Sequence, residues 1–324
     1  ALAKIDPIEP IIIKKSPTYA HVFGQWVCEK ARIDGRLMAI TPAMLGGSGL
    51  ESFSKEFAER LFDVAIAEQH AITLAAGMAC EGAKPVVAIY STFLQRGYDQ
   101  FIHDIALQNL DILLAIDRAG VVGEDGATHT GAYDLAFLRC LPNVVVMAPS
   151  NAAEATAMLN FGYAYCGPVA VRYPRGEAIE GLPLLAPIEL GRGQVIRSSG
   201  KSNAIAILNF GALLDKLTMV AEAADATLVD MRFVKPLDEM LLKQLLLQHN
   251  GFVTIEDHSC IGGAGSAVSE WLVQQKTSVR LLCLGHQDAA LPHGTREQVL
   301  HNTGLSKEAI TAKINAWQAH LPAE

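Results

Sequence analysis

The sequence predicts two doubly wound α/β domains, the second smaller than the first, on three observations. Short runs that are apolar throughout recur along the chain, and strands without polar alternation suit a parallel sheet covered on both faces. Helix-length segments lie between most of these runs, and alternating β and α elements argue for a doubly wound sheet. The rhythm then breaks at 177–202, "EAIEGLPLLAPIELGRGQVIRSSGKS", where Pro, Gly and polar residues mark a boundary before a second series begins.

Residues 1–17, "ALAKIDPIEPIIIKKSP", read as an extended, Pro-containing linker, and a start at Ala rather than Met is read as processing or as removal of something upstream. The first domain is placed at 18–185, with strands at "LMAIT" (37–41), "FDVAI" (62–66), "PVVAIYS" (85–91), "DILLAID" (111–117), "NVVVMAP" (143–149) and "VAVRYP" (169–174). Its helices are expected near 67–80, 93–108 and 151–164. The second domain, 190–324, has strands at "AIAILNFG" (204–211), "ATLVDMR" (226–232), "GFVTIED" (251–257) and "VRLLCLG" (279–285). Its tail, "SKEAITAKINAWQAH" (306–320), carries apolar residues at helical spacing and predicts a terminal helix with a packed stripe.

With 324 residues, 50% apolar and 19% charged, the chain has the composition of a folded globular protein. A formal charge of −8 argues against general nucleic-acid binding but leaves room for a local cationic pocket. No apolar run reaches the roughly 20 residues a membrane helix needs, and the N-terminus lacks the layout of a secretory signal. The six cysteines are scattered without a CxxC pair, which predicts reduced thiols packed in the core and a cytoplasmic protein. Neither HExxH nor a Walker-A pattern occurs, so no metal site is predicted within this chain.

Ligands of open α/β sheets bind at the carboxyl ends of strands. Glu68, in "DVAIAEQHAITLAAGMA" (63–79), interrupts an apolar junction there. Burying a carboxylate without a partner costs several kcal/mol, so a ligand is expected to supply one. Tyr90, Arg96, Arg118 and Arg175 lie at or just beyond other strand ends, and guanidinium forks match the oxygens of a phosphate monoester. The bland alternative pairs each arginine with a nearby acid, Arg118 with Asp117 for example. The Gly-rich loop "DRAGVVGEDGATHTGAYD" (117–134) contains Glu124, Asp125, His129 and Asp134 and is either a solvated connection or functional. His129 suits a proton donor or acceptor, or a ligand for a substrate hydroxyl. In the second domain, "IGGAGSAVSEW" (261–271) is either an anion cradle or, the preferred reading, a close-packed helix start. Glu256, Asp257 and His258 form either a site edge or an exposed acidic turn.

"DVAIAEQH", "AIYSTFLQRGYDQFIHDIALQNL", "DRAGVVGEDGATHTGAYDLAFLRCLPN", "VRYPRG" and "VDMRFVKPLDE" together resemble the 1-deoxy-D-xylulose-5-phosphate synthase family of the transketolase superfamily. The likeness runs from about residue 18 to the C-terminus. "AEQH" alone marks only the superfamily, whereas "YSTFLQR", "DGATHTG" and "RYPRG" are more specific. The resemblance implies a pyrimidine-binding transketolase-like domain followed by a smaller transketolase C-terminal-like domain. It implies thiamine diphosphate and Mg²⁺ as cofactors, pyruvate and D-glyceraldehyde 3-phosphate as substrates, and release of carbon dioxide to give 1-deoxy-D-xylulose 5-phosphate. The family's Gly-Asp-Gly motif with its downstream Asn is not found here. The diphosphate and metal ligands are therefore expected on an N-terminal domain or another chain, and this chain alone is expected to be inactive.

Residue by residue, the resemblance puts Glu68 on the ring nitrogen of the aminopyrimidine, as a carboxyl kept protonatable by burial, and Phe93 on the ring face. Tyr90, Arg96, Arg118 and Arg175 match positions that hold the acceptor's phosphate. Asp125 and His129 match positions near its hydroxyls and the reacting carbons, so Glu68 and His129 are the expected catalytic groups. A homodimer is implied, with neither nucleic acid nor membrane as partner. The alternatives are the β-chain of a two-chain 2-oxo acid dehydrogenase, a transketolase C-terminal half, or, in another class, a non-catalytic dimerisation or regulatory partner.

Overall fold

A computed structural model describes residues 16–180, 182, 184–201 and 204–319. All but the last two residues of the expected 1–17 linker lie outside the described residues. The first sheet is built from β1 (Leu37–Thr41), β2 (Leu61–Asp63), β3 (Lys84–Tyr90), β4 (Leu113–Asp117), β5 (Val145–Met147) and β6 (Val169–Arg172). These six run parallel in the order β5-β6-β4-β3-β1-β2. Every residue of β4 is buried, the expected state of a central parallel strand with helices over both faces.

The second half contributes β7 (Gln194–Arg197), β8 (Ala204–Phe210), β9 (Thr227–Asp230), β10 (Phe233–Lys235), β11 (His249–Ser259) and β12 (Arg280–His286). Five of these form a second sheet in the order β12-β11-β8-β9-β7, parallel except for β7. The sixth, β10, crosses back and pairs antiparallel with β5, so the second half closes one edge of the first sheet. Neither β7 nor β10 was expected. β7 lies inside the boundary segment and is only partly buried along its length, while β10 is three residues long and shows no period.

Two elements differ from expectation in a way that shapes the site. The strand expected over 62–66 stops at Asp63, whose Oδ1 accepts from the backbone N–H of Ala43 (2.9 Å) and of Ala65 (3.0 Å). Ala65 then takes a left-handed φ of 57°, which no strand continues through. The turn delivers Glu68 as the first residue of the helix Glu68–Cys80. The helix expected over 93–108 starts at Ser91 and is wound unevenly, through Ser91–Leu94, Gln95–Gly97, Tyr98–Gln100 and Phe101–Ala106.

One apolar core is continuous between the two halves, joining Ile72, Ile89 and Leu138 to Leu208, Phe252 and Trp271. All six cysteines are free, but only Cys28 is fully buried; Cys80, Cys140 and Cys166 are exposed. The expected core role therefore fails for those three, which sit at a helix end, after a helix and in a turn, where chain geometry overrides their apolar character. Among the described residues no helix is long and apolar enough to cross a membrane.

Candidate functional site

Because β1, β3, β4 and β6 are parallel, their carboxyl ends share one edge of the sheet, and the expected site residues gather there. Glu68 is 2% exposed and opens its helix, where unpaired backbone N–H groups favour a carboxylate. Gly97 lets the neighbouring helical turn come close: a Cβ there would lie 2.8 Å from Ile72 and 3.1 Å from the Glu68 carbonyl. That approach brings Arg96 within reach, and its Nη1 donates to Glu68 Oε1 at 2.8 Å. The partner expected from a ligand is thus supplied in part by the chain itself. The resemblance groups Arg96 with the phosphate ligands; the structure places it at the carboxylate end, with its side chain 52% exposed and its guanidinium 5.1 Å from the Phe93 ring centre.

Phe93 connects the two ends. Its ring lies 6.1 Å from that of Tyr90 at an interplanar angle of 30°, and His129 meets it edge-on at 5.3 Å. Tyr90 ends β3, and the Arg118 guanidinium stacks 4.0 Å from its ring centre. A loop not singled out from sequence supports the tyrosine. Met44 Sδ accepts from the Tyr90 backbone N–H at 3.2 Å, and a Cβ on Gly47 would fall 1.6 Å from the Tyr90 hydroxyl. The signal was present as "AMLGGSGL" directly after β1, a glycine cluster at a strand's carboxyl end.

At the far end Arg118 Nη1 donates to Asp125 Oδ2 at 2.5 Å, and Arg175 Nη1 lies 3.1 Å from the same oxygen and 3.5 Å from Glu124. Glu68, Arg96, Phe93, Tyr90, Arg118, Asp125 and Arg175 therefore form one unbroken sequence of contacts, with His129 branching from Phe93. The alternative that pairs each arginine with a nearby acid holds for all three, Arg96 with Glu68, Arg118 with Asp125, and Arg175 with Asp125 and Glu124. Only the partner expected for Arg118 is corrected, since Asp117 Oδ1 accepts its backbone N–H, at 2.6 Å, and not its side chain. Arg118 itself holds a φ of 56°, a conformation that costs a non-glycine residue on the order of 1–2 kcal/mol.

Burial pushes the Asp117 carboxyl up to about 7, against the lowering by the Arg118 N–H and charge. A folded-state value above the unfolded one means that burying the charged form costs stability, increasingly as pH rises from about 4 towards 7. Asp117→Asn keeps an acceptor for the Arg118 N–H and removes that charge. Its stability relative to the parent should be greater at pH 8 than at pH 5 by on the order of a few kcal/mol, read as a larger gap in melting temperature at the higher pH. A gap that stays constant or narrows with rising pH would refute the assignment.

The loop residue Asp134 and the stretch around Glu256 lie apart from this run of contacts. Arg172 and Asp134 are both buried and paired with each other, Nε to Oδ2 at 2.7 Å, and Arg172 also donates to the Asp257 carbonyl at 3.1 Å. They tie the halves together. Glu256, Asp257 and His258 are 1%, 7% and 0% exposed, so they are no exposed turn. Glu256 accepts from the N–H groups of Ala264 and Gly265 at 2.7 and 2.8 Å, so the anion at the glycine-rich helix start is the chain's own carboxylate. Among the described residues no three His, Cys, Asp or Glu side chains are grouped so as to hold a metal ion.

Two α/β sheets share one core, and the strand ends of the first converge on a carboxylate, an aromatic shelf and a guanidinium pair, which defines the class as a two-sheet α/β protein with a polar cleft at its strand ends. The model of the transketolase pyrimidine binding domain matches residues 15–179, and that of the transketolase C-terminal domain matches 192–310. The chain belongs to the transketolase family. It is 54% identical over 321 residues to a 1-deoxy-D-xylulose-5-phosphate synthase of Pseudomonas syringae pv. tomato, covering 97% of this chain and 50% of that protein. Against the synthase of Proteus mirabilis the figures are 53% over 326 residues, 99% and 52%. The chain thus spans about half the length of the curated relatives it matches. Among solved structures, a split-gene transketolase described as an inactive beta4 tetramer superposes with a TM-score of 0.83 at 27% identity, covering 95% of this chain and all (100%) of that one. The transketolase of Campylobacter jejuni shares the fold, with a TM-score of 0.77 at 15% identity, over 94% of this chain and 47% of that chain.

Proposed function

We propose that this chain is the pyrimidine-holding part of a thiamine-diphosphate-dependent 1-deoxy-D-xylulose-5-phosphate synthase. The complete enzyme joins pyruvate to D-glyceraldehyde 3-phosphate with loss of carbon dioxide. The observation that carries this reading is the unbroken run of contacts from Glu68 to Arg175, which sets a buried carboxylate and an aromatic face at one end and paired guanidiniums at the other. A buried carboxyl beside a half-buried ring fits an aminopyrimidine; the diphosphate and Mg²⁺ ligands belong to a further domain in this reading. When bound, the cofactor supplies the carbanion stabilisation.

Glu68 holds the proton shared with the pyrimidine nitrogen, and Phe93 stacks on the ring. Tyr90, Arg118 and Arg175 orient the acceptor's phosphate, with Arg96 at the carboxylate end beside Glu68. Asp125 and His129 face the acceptor's hydroxyls, and His129 is the nearer candidate for moving a proton, being in contact with Phe93. Six free cysteines support a reducing, cytoplasmic setting, and a homodimer belongs to the same reading.

Supplying the complete enzyme with pyruvate and either D-glyceraldehyde 3-phosphate or a lipoyl domain tests the proposal. Product formation only with the lipoyl acceptor would replace it with a 2-oxo acid dehydrogenase. Within the synthase, Arg175→Ala should raise the KM for D-glyceraldehyde 3-phosphate about ten-fold, corresponding to about 1.4 kcal/mol for one charge-assisted contact. An unchanged KM would place Arg175 outside the phosphate site.

A further inference from the structure

The loop that carries Asp125 and His129 is held from outside the site. Gly120 and Gly131 close its neck by exchanging backbone hydrogen bonds of 2.6 and 2.9 Å. Beyond the neck the contacts come from the second half of the chain. The Val121 N–H donates to Asp257 Oδ1 at 2.9 Å, and Asp257 also accepts from His286 Nε2 at 2.9 Å and from Arg296 Nη2 at 2.7 Å. Burial alone would raise the Asp257 carboxyl, yet His286, Arg296 and the Val121 N–H hold it well below the usual carboxylate range. The fit leaves no room for side chains. A Cβ on Gly120 would lie 2.3 Å from the Asp257 carboxyl carbon, and one on Gly123 would lie 2.7 Å from the Arg296 backbone nitrogen. Both glycines have positive φ, 83° and 93°. At the tip, His293 Nε2 donates to the Glu124 carbonyl at 2.8 Å, one residue before the aspartate shared by Arg118 and Arg175.

We propose that Asp257, Arg296 and His293 are positioning residues for the acceptor end of the site. They pin residues 121–124 at two points, so that Asp125 is presented to Arg118 and Arg175 before the phosphorylated acceptor arrives. This rests on the synthase reading given above. A loop without regular structure loses much conformational freedom when fixed, and tethers that fix it in advance remove that cost from substrate binding. The effect should therefore fall on acceptor affinity more than on the chemical step.

His293 is exposed, so its truncation spares the core. In the complete enzyme His293→Ala should raise the KM for D-glyceraldehyde 3-phosphate roughly three- to ten-fold, with kcat and the KM for pyruvate within two-fold of the parent. Amide exchange of residues 121–130 should speed up by a similar factor. His293→Gln, whose amide N–H can reach the same carbonyl, should restore both quantities. Asp257→Asn should act in the same direction and more strongly, and its melting temperature would show whether the protein still folds. Unchanged acceptor KM in His293→Ala, faster exchange without a KM change, or equal defects in the Ala and Gln variants would overturn the proposal. Exchange is read without turnover: an inactive parent enzyme would defeat the synthase reading, while unchanged exchange would defeat the tether.

Discussion

Replacing Glu68 with glutamine in the complete enzyme should lower turnover by roughly 10²–10⁴-fold, the range in which a positioned proton-transfer group contributes. Glutamine keeps the length of the side chain and an oxygen for the Arg96 N–H, but it cannot hold or yield the proton shared with a ring nitrogen. The fold should tolerate the change. Glu68 is 2% exposed, and glutamine has nearly the same shape, so the packing around it is kept. Arg96, with 52% of its side chain exposed, can turn to water when its ion pair is lost. Turnover and melting temperature measured on the same preparation separate the two effects. Parent-like turnover would remove Glu68 from the mechanism, and a collapsed melting temperature would make it a structural group instead.

Where the chain's physics is local, the sequence was a good guide. β3 and β4 announce themselves because burial on both faces demands apolar residues at all but their ends, Lys84 and Asp117, and the helix Glu68–Cys80 follows from its alanine-rich run. Most of the candidate site residues could be nominated for the same reason, since they end or follow such a strand, whereas Glu68 follows the partly exposed β2 across a turn. What could not be read is set by contacts far apart in sequence or by single side chains. The early end of β2 depends on Asp63 capturing two backbone N–H groups, and the Arg96–Glu68 pair depends on Gly97 allowing close packing. The tethers from Asp257 to Val121 and from His293 to Glu124 span 136 and 169 residues, with no local pattern to mark them. β10 belongs to the first sheet although it follows β9 of the second, and three residues carry no periodicity from which to infer it.

Arg118→Ala in the complete enzyme should raise the KM for D-glyceraldehyde 3-phosphate roughly a hundred-fold, well beyond the effect at Arg175. Both guanidiniums meet Asp125, but the Arg118 side chain is 18% exposed against 41% for Arg175, and it also stacks on Tyr90. A charge-assisted bond is worth about 1.5–3 kcal/mol and gains from exclusion of water, which favours the more buried partner. Loss of the guanidinium is not the only consequence of substitution, because residue 118 holds a left-handed φ of 56°. Alanine keeps that strain, whereas glycine relieves it, so Arg118→Gly should be more stable than Arg118→Ala by about 1 kcal/mol. If the phosphate is held by the guanidinium, the two variants will share the same raised KM despite differing in stability. Arg118→Lys should fall between them and the parent, since it retains the charge without the planar fork. A KM that follows stability across the three variants would instead make Arg118 a support for the loop, and an unchanged KM in Arg118→Ala would take it out of the acceptor site.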